Sequence, residues 1–167
     1  MALAARWIRL HPFGMPAMRT AAAAFAAAQA PGSAPAVLWA HIPRIEDNRH
    51  VFSIVAPLKH LPGRTTRWRS WALAPLVATY RQRGLSAYTD ADRVCLSGQP
   101  ITGVSAATVG ACAVVIADFV AWGEGFMEFL RQRIEAQYGW QFDTAWPTDA
   151  ESLAIAGALV GEAASAD

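Results

Sequence analysis

Cysteines, histidines, clustered carboxylates and an arginine run are the side chains here that could do chemistry, and each group has a competing structural reading. Cys112 follows Gly110-Ala111 and opens an apolar run. As an acyl-accepting nucleophile it needs a lysine, a histidine or a helix N-terminus to lower its pKa. Nothing adjacent in sequence supplies one, and a free cysteine in an apolar strand is usually inert core. Cys95, between Val94 and Leu96, reads the same way. No residue is therefore assigned a catalytic role, and Cys112 is kept as the candidate nucleophile should there be one. His11, His41, His50 and His60 never fall at the i, i+4 spacing of a helical metal pair, so no metal site is expected. Asp118, Glu124 and Glu128 could be imagined as catalytic carboxylates. Glu124 and Glu128, however, sit at an expected helix start, where the dipole favours acids.

Two further groups point to binding rather than reaction. Residues 101–112 form a small-residue segment with Gly103, Ser105 and Gly110. Small side chains let a backbone approach a ligand or another strand closely, which makes Thr102, Gly103, Ser105 and Ala106 candidates for lining a ligand pocket. Trp140, Phe142 and Trp146 crowd a short segment, and aromatic residues are enriched in interfaces. These three are candidate partner contacts, with plain core as the competing reading. Arg64, Arg67 and Arg69, interleaved with Trp68 and Trp71, have the composition of a phosphate or nucleic-acid site. In a nearly neutral chain they read as a solvated loop leading into a helix.

The elements that must position these residues follow from periodicity and punctuation. Residues 7–10 read as an opening strand, with residues 11–14 as its exit turn. Residues 15–29 are predicted as an alanine-rich helix with Pro16 in its first turn, and residues 31–35 as a linker. Residues 36–42 and 50–56 are predicted as an antiparallel pair joined by a polar turn over residues 43–48. The second, apolar on both faces, is expected to be central. Lys59 and the arginines form a basic loop before a helix that ends at Gly84. Pro75 implies a kink there, or a start near Trp71. Strands are expected at residues 94–96 and 114–116, with a tight turn at residues 97–100. A helix over residues 125–138, an aromatic connector over residues 140–146 and a helix over residues 148–163 complete the chain. The last opens on Thr148-x-x-Glu151, which has capping-box spacing. The fold class is α/β (α+β): a mixed, largely antiparallel sheet with packed helices, expected as a single domain over residues 1–167.

Composition bounds what this domain does. The chain has 167 residues, 54% of them hydrophobic and 16% charged, which argues against disorder. A formal net charge of +1 leaves no electrostatic footprint for nucleic acid. No apolar run reaches the ~18 residues of a membrane span, and residues 19–31 read as helix rather than as a signal segment. Two cysteines do not make a secreted disulfide framework, so a cytoplasmic location is expected. The fourteen basic residues are all arginine except Lys59.

In its order of elements the chain resembles the lipoate–protein ligase and octanoyltransferase branch of the biotin/lipoyl protein ligase superfamily. Trp7-Ile8-Arg9-Leu10 with the helix after it, His50-Val51-Phe52-Ser53-Ile54-Val55, and above all the stretch from Asp92 to Ser105 carry the resemblance. The last is similar to the family's G-R-K-I-x-G hairpin. The likeness covers residues 7 to about 120 and leaves the C-terminal helices unmatched. It implies that fold, and it also marks two departures. Where the family has a lysine whose charge stabilises the reacting acyl group, this chain has Pro100, with neither a side-chain donor nor an N–H. Where the family has a triple-glycine motif that holds phosphate, no glycine lies between Ile42 and His50. The resemblance minus these features implies a non-catalytic binding or accessory protein that uses no cofactor. Its partner would be a protein or a lipoyl/acyl carrier, with self-association open. The alternatives are a cysteine-dependent acyltransferase or a small structural subunit.

Overall fold

Residues 1–12, 14–43 and 48–165 are described in the computed structural model. In chain order the elements are β1 (Leu3–Arg9), α1 (Met15–Ala27), β2 (Ala36–His41), β3 (Arg49–Pro57) and α2 (Trp68–Gln82). They are followed by β4 (Ala87–Asp90), β5 (Arg93–Leu96), β6 (Gln99–Pro100), β7 (Val104–Val109), β8 (Cys112–Val120), α3 (Phe126–Tyr138), β9 (Trp140–Ala145) and α4 (Asp149–Ser165). Six strands form one sheet in the order β7-β8-β3-β2-β1-β9, and β4-β5-β6 form a second, small one. β1 pairs in parallel with β2 and β9, while every other pair in both sheets is antiparallel. The expected mixed, largely antiparallel sheet is the observed one. β3 is interior as its two apolar faces require, and it pairs with β2 through His41 opposite His50. The turns expected at residues 11–14 and 43–48 include Phe13 and residues 44–47, which lie outside the described residues.

Each face of the large sheet is covered by two helices. Ile8, Leu38, Val51, Val55, Val114 and Ile116 pack beneath α1 and α4. The alanines of α1 serve this layer, since buried Ala21, Ala22 and Ala26 let the helix lie close to the strands. On the other face Trp7, Phe52, Ile54, Val115 and Phe119 meet Leu73, Leu76 and Tyr80 of α2 and Phe126, Leu130 and Ile134 of α3. No helix among the described residues is long and apolar enough to cross a membrane.

Three expectations need correction. The aromatic connector is the edge strand β9, whose residues alternate between core and solvent. Trp140 and Phe142 point inward, each 4% exposed, and Trp146 beyond the strand is 81% exposed. The small-residue segment contains the strand β7, which folds back on β8 through the two-residue turn at Gly110 and Ala111, with Gly110 at φ +57°. The third concerns Pro75, which neither delays nor ends α2: the helix begins at Trp68 and runs past it. A proline at position 75 leaves the carbonyl of Trp71 without its helical donor. The phenol of Tyr138 donates to that carbonyl at 2.6 Å while its ring stacks on Trp71, centroids 4.1 Å apart. α3 thus supplies the hydrogen bond that α2 cannot make for itself.

The C-terminal helix is fixed by one carboxylate. The amide of Thr148 donates to Glu151 Oε2 at 2.8 Å and the amide of Glu151 donates to Thr148 Oγ1 at 3.2 Å, the reciprocal pair the spacing predicts. Arg6 of β1 reaches the same carboxylate with both terminal nitrogens, at 2.7 and 2.8 Å, and Gln29 adds a fourth donor at 3.0 Å. Burial works to raise the Glu151 pKa. The hydrogen bonds of Arg6, Gln29 and Thr148 and the charge of Arg6 outweigh it, and the pKa falls to about 2. The unfolded chain therefore takes up this proton first as pH drops. The stabilisation is complete above about pH 5 and is lost between about pH 5 and 2, on the order of 3 kcal/mol in all. Replacing Arg6 by Met is expected to cost about 2–4 kcal/mol in urea unfolding at pH 7, because it strands a buried carboxylate. It should also flatten the fall in stability between pH 5 and 2.

Candidate functional site

The hairpin singled out in the sequence is built by β5 and β6 around Ser97 and Gly98, both at positive φ (50° and 76°), the pattern of a type I′ turn. Pro100 stands opposite Cys95 in the exposed two-residue strand β6. Beyond it the chain is tied down residue by residue. The amide of Ile101 donates to the Val94 carbonyl at 2.8 Å, and the amide of Val94 donates to Thr102 Oγ1, also at 2.8 Å. The amide of Gly103 donates to Asp118 Oδ1 at 2.6 Å, and the amide of Asp118 returns a bond to the Gly103 carbonyl at 3.2 Å. Asp118 Oδ2 accepts from Arg49 Nη1 at 2.8 Å, and the same nitrogen reaches the Ile101 carbonyl at 3.3 Å. A Cβ added at Gly103 would meet Asp118 Oδ1 at 3.1 Å, so a larger side chain there would press on the carboxylate.

These bonds decide what the pocket candidates do. Thr102 and Gly103 spend their polar groups on the fold. Ser105 and Ala106 are successive residues of a strand and point to opposite faces of it. Of the four, Ala106 lines a cleft. That cleft, of about 370 Å³, lies between β7 and the segment that leads into α2, with Thr65, Thr66, Trp68, Arg69 and Asp92 on its far side. Rings fill the core between β3, β8, α2 and α3: Phe52 and Phe119 lie 5.6 Å apart, Phe119 and Phe126 5.7 Å, and Tyr80 and Phe126 5.1 Å. Burial pushes the Tyr80 phenol well above its ordinary pKa, and it donates to the Val120 carbonyl at 2.6 Å.

The remaining candidates separate. Cys112 is 4% exposed at the start of β8, in the layer beneath α1, and burial pushes its thiol up. Cys95 is buried in the small sheet opposite Tyr88 and Pro100, and both cysteines are free thiols. Lys59 follows Leu58, whose amide bonds to the Ala111 carbonyl at the turn between β7 and β8. Gly103 is bonded to Asp118, six residues along β8 from Cys112, so Leu58 and Gly103 sit at opposite ends of β8, about 20 Å apart along the strand. His41 and His50 come together, rings 5.1 Å apart, with His50 stacked on Phe119 and its pKa lowered chiefly by burial. His60 lies in the basic loop and His11 is exposed beyond β1. No group of three metal-ligating side chains exists among the described residues. Glu124 and Glu128 are exposed ahead of and within the first turn of α3, where helix-start acids belong. Of the three aromatic contact candidates, only Trp146 is at the surface.

Sequence reasoning passed over Arg49 and Arg6, the two cations that hold Asp118 and Glu151. A signal existed for the first pair, because Asp118 is the only charged residue between Arg93 and Glu124. A lone charge in so apolar a stretch requires a partner. For Arg6, 145 residues from Glu151, no local signal exists.

No family model and no curated protein matches this chain. Solved structures do. A protein of T. acidophilum with lipoic acid bound has a TM-score of 0.77 at 12% identity, over 95% of this chain and 96% of its own. Lipoate-protein ligase A bound with ATP has a TM-score of 0.76 at 12% identity, over 93% and 94%. A bipartite lipoate protein ligase of Thermoplasma acidophilum, from a study that includes its E2 lipoyl domain, has a TM-score of 0.76 at 11% identity, over 93% and 91%. The chain therefore has the fold of lipoate and biotin protein ligases, as its resemblance implied.

Asp118→Ala should lower the unfolding free energy by about 1–2 kcal/mol, because it removes the carboxylate that joins Arg49 to the Gly103 amide. Circular dichroism in urea would read the loss. Cys112 should react with a thiol reagent at pH 8 roughly a hundredfold more slowly in the native chain than in the unfolded one. The two rates, read by mass on Cys95→Ser protein, compare directly.

Proposed function

We propose that this chain is a non-catalytic descendant of the lipoate ligase fold that acts as a binding or accessory protein for a protein partner or a lipoyl/acyl carrier. The observation that carries the reading is Pro100 in the place of the reactive lysine, with Lys59 held at the far end of β8. A proline there offers no charge to the carbonyl oxygen of an acyl-adenylate and no amide to hold it. Beside it, the amides of Ile101 and Gly103 and the hydroxyl of Thr102 are already bonded within the chain. The absence of glycine between Ile42 and His50 adds the loss of a phosphate-binding backbone.

Binding is the function this leaves. One solved neighbour is a bipartite ligase studied with its E2 lipoyl domain, which makes a carrier of that kind the first partner to test. Trp146, exposed between β9 and α4, is a contact point a partner can use. We assign the chain to the cytoplasm, where two free thiols are stable.

Incubation with lipoyl- or octanoyl-adenylate and a lipoyl acceptor domain, read by intact mass, should give no transfer to the acceptor and no thioester on the chain. An acceptor mass increase that disappears in Cys112→Ser would replace this reading with a cysteine-dependent acyltransferase. Titration of the lipoylated acceptor domain, followed by Trp146 fluorescence, should give a saturable change without any covalent product.

A further inference from the structure

Helix α4 has two apolar sides, and the chain covers one of them. Glu151 and Ile155 are buried, Leu159 packs on the cluster beneath α1, and Thr20 of α1 donates to Glu162 at 2.5 Å. The opposite side carries Leu153, Gly157, Val160 and Ala164, all exposed, with Leu153 at 74% and Val160 at 70%. They recur at intervals of four, three and four residues, the interval of a coiled-coil seam rather than of a solvated face. No charged residue lies between Glu151 and Glu162, and α4 has no lysine or arginine. A helix that is hydrophobic all round is ordinarily covered all round.

Two glycines mark the same side. A Cβ added at Gly157 or at Gly161 would meet nothing within 4 Å, so no packing inside the chain calls for glycine at either position. Each costs helix stability relative to alanine. What a glycine on an exposed helix face permits is the close approach of another backbone. The margins of the large sheet stand apart from this helix and are finished unequally. The amide of Phe142 in β9 donates to Glu135 at 2.9 Å and its carbonyl accepts from Arg131 at 2.6 Å, whereas β7 at the other end has no such side-chain cover among the described residues.

We infer that α4 pairs with α4 of a second copy of this chain, antiparallel about a twofold axis, to form a homodimer. With the axis beside residues 158 and 159, Leu153 of each copy faces Ala164 of the other, and Val160 faces Gly157. Every layer then sets a large side chain against a small one. A parallel pair would set Leu153 on Leu153 and Gly157 on Gly157, one layer crowded and the next empty. The order of sizes along α4 is thus its own complement, as a closed twofold contact requires and an unrelated partner does not. The copies meet without burying an ion, while an anionic lipid surface would find no cation on α4 to hold. α4 is about 25 Å long, and with α1 beside it the face is about 20 Å wide, so the pair covers about 1,000 Å² in all. That is the lower end for specific association, and the dimer is one of micromolar strength. α4 packs on the face of the large sheet opposite the small sheet that carries Pro100, so pairing leaves the hairpin free.

Sedimentation equilibrium between about 1 and 200 µM should show the average mass climbing from one copy toward two and no further. Val160→Glu places a carboxylate in both halves of the seam and should weaken association at least roughly tenfold, while the unfolding midpoint of the dilute monomer stays where it was. Gly157→Leu should separate two effects. It favours the helix and raises the midpoint of the dilute monomer, yet it fills the space that Val160 of the other copy needs and weakens association. A glycine with a purely local role would not split them. For the register, a chain carrying Leu153→Cys is mixed with one carrying Ala164→Cys and oxidised with diamide. A disulfide between copies should form in the mixture and in neither variant alone. A strict monomer at 200 µM, a dimer that Val160→Glu leaves intact, or a disulfide formed by Leu153→Cys alone would overturn the pairing. So would a chain that stays monomeric and cosediments with phosphatidylcholine vesicles, since the face would then belong to lipid.

Discussion

Asp118 is the constraint on which the candidate site depends. Its two oxygens are divided between the Gly103 amide and Arg49, and Arg49 in turn touches the Ile101 carbonyl. One carboxylate therefore joins the start of β3, the end of β8 and the chain that leaves the hairpin before β7. A half-buried charge in so apolar a region is tolerated only when its lone pairs are used, and here both oxygens are. Asp118 thereby positions backbone.

Glu151 repeats the same logic at the other side of the molecule. Both carboxylates belong to late parts of the chain and both are held by an arginine from the start of an earlier strand or from its middle, Arg49 in one case and Arg6 in the other. Between them lies a sheet whose two faces are almost wholly apolar, so these ion pairs act as orientation marks more than as sources of net stability. The Tyr138–Trp71 contact is of the same kind. A proline in α2 creates a vacancy in the helix ladder, and a residue from another helix fills it, which fixes how α2 and α3 sit against each other.

How much of this was legible in the residues varied with the reach of each interaction. Helix ends were readable because their signals are local: Gly84, Gly139 and the Thr148–Glu151 box all act within a turn of where they stand. The central strand β3 was readable from its unbroken apolar run. β9 carried a readable signal that was outweighed. Trp140, Phe142 and the polar residues between them alternate with period two, but three aromatics in one short stretch between two helices read as a connector rather than as a strand. β7 carried almost none, because Val-Ser-Ala-Ala-Thr-Val has little intrinsic preference for a strand and takes that form by pairing with β8 across Gly110. For the site, the loss of the lysine was visible at Pro100. That Thr102 and Gly103 are consumed by internal bonds, and that Ser105 and Ala106 diverge, follows from a register no local pattern encodes.

The unequal finish of the sheet's two margins limits what can grow from it. A sheet with both margins open can be lengthened without end, and repeated addition of like units is the route to fibres. Here Arg131 and Glu135 close one margin, so copies of this chain joined through β7 stop at a pair. The protein can leave one backbone ladder unsatisfied in water without becoming a template for an endless sheet.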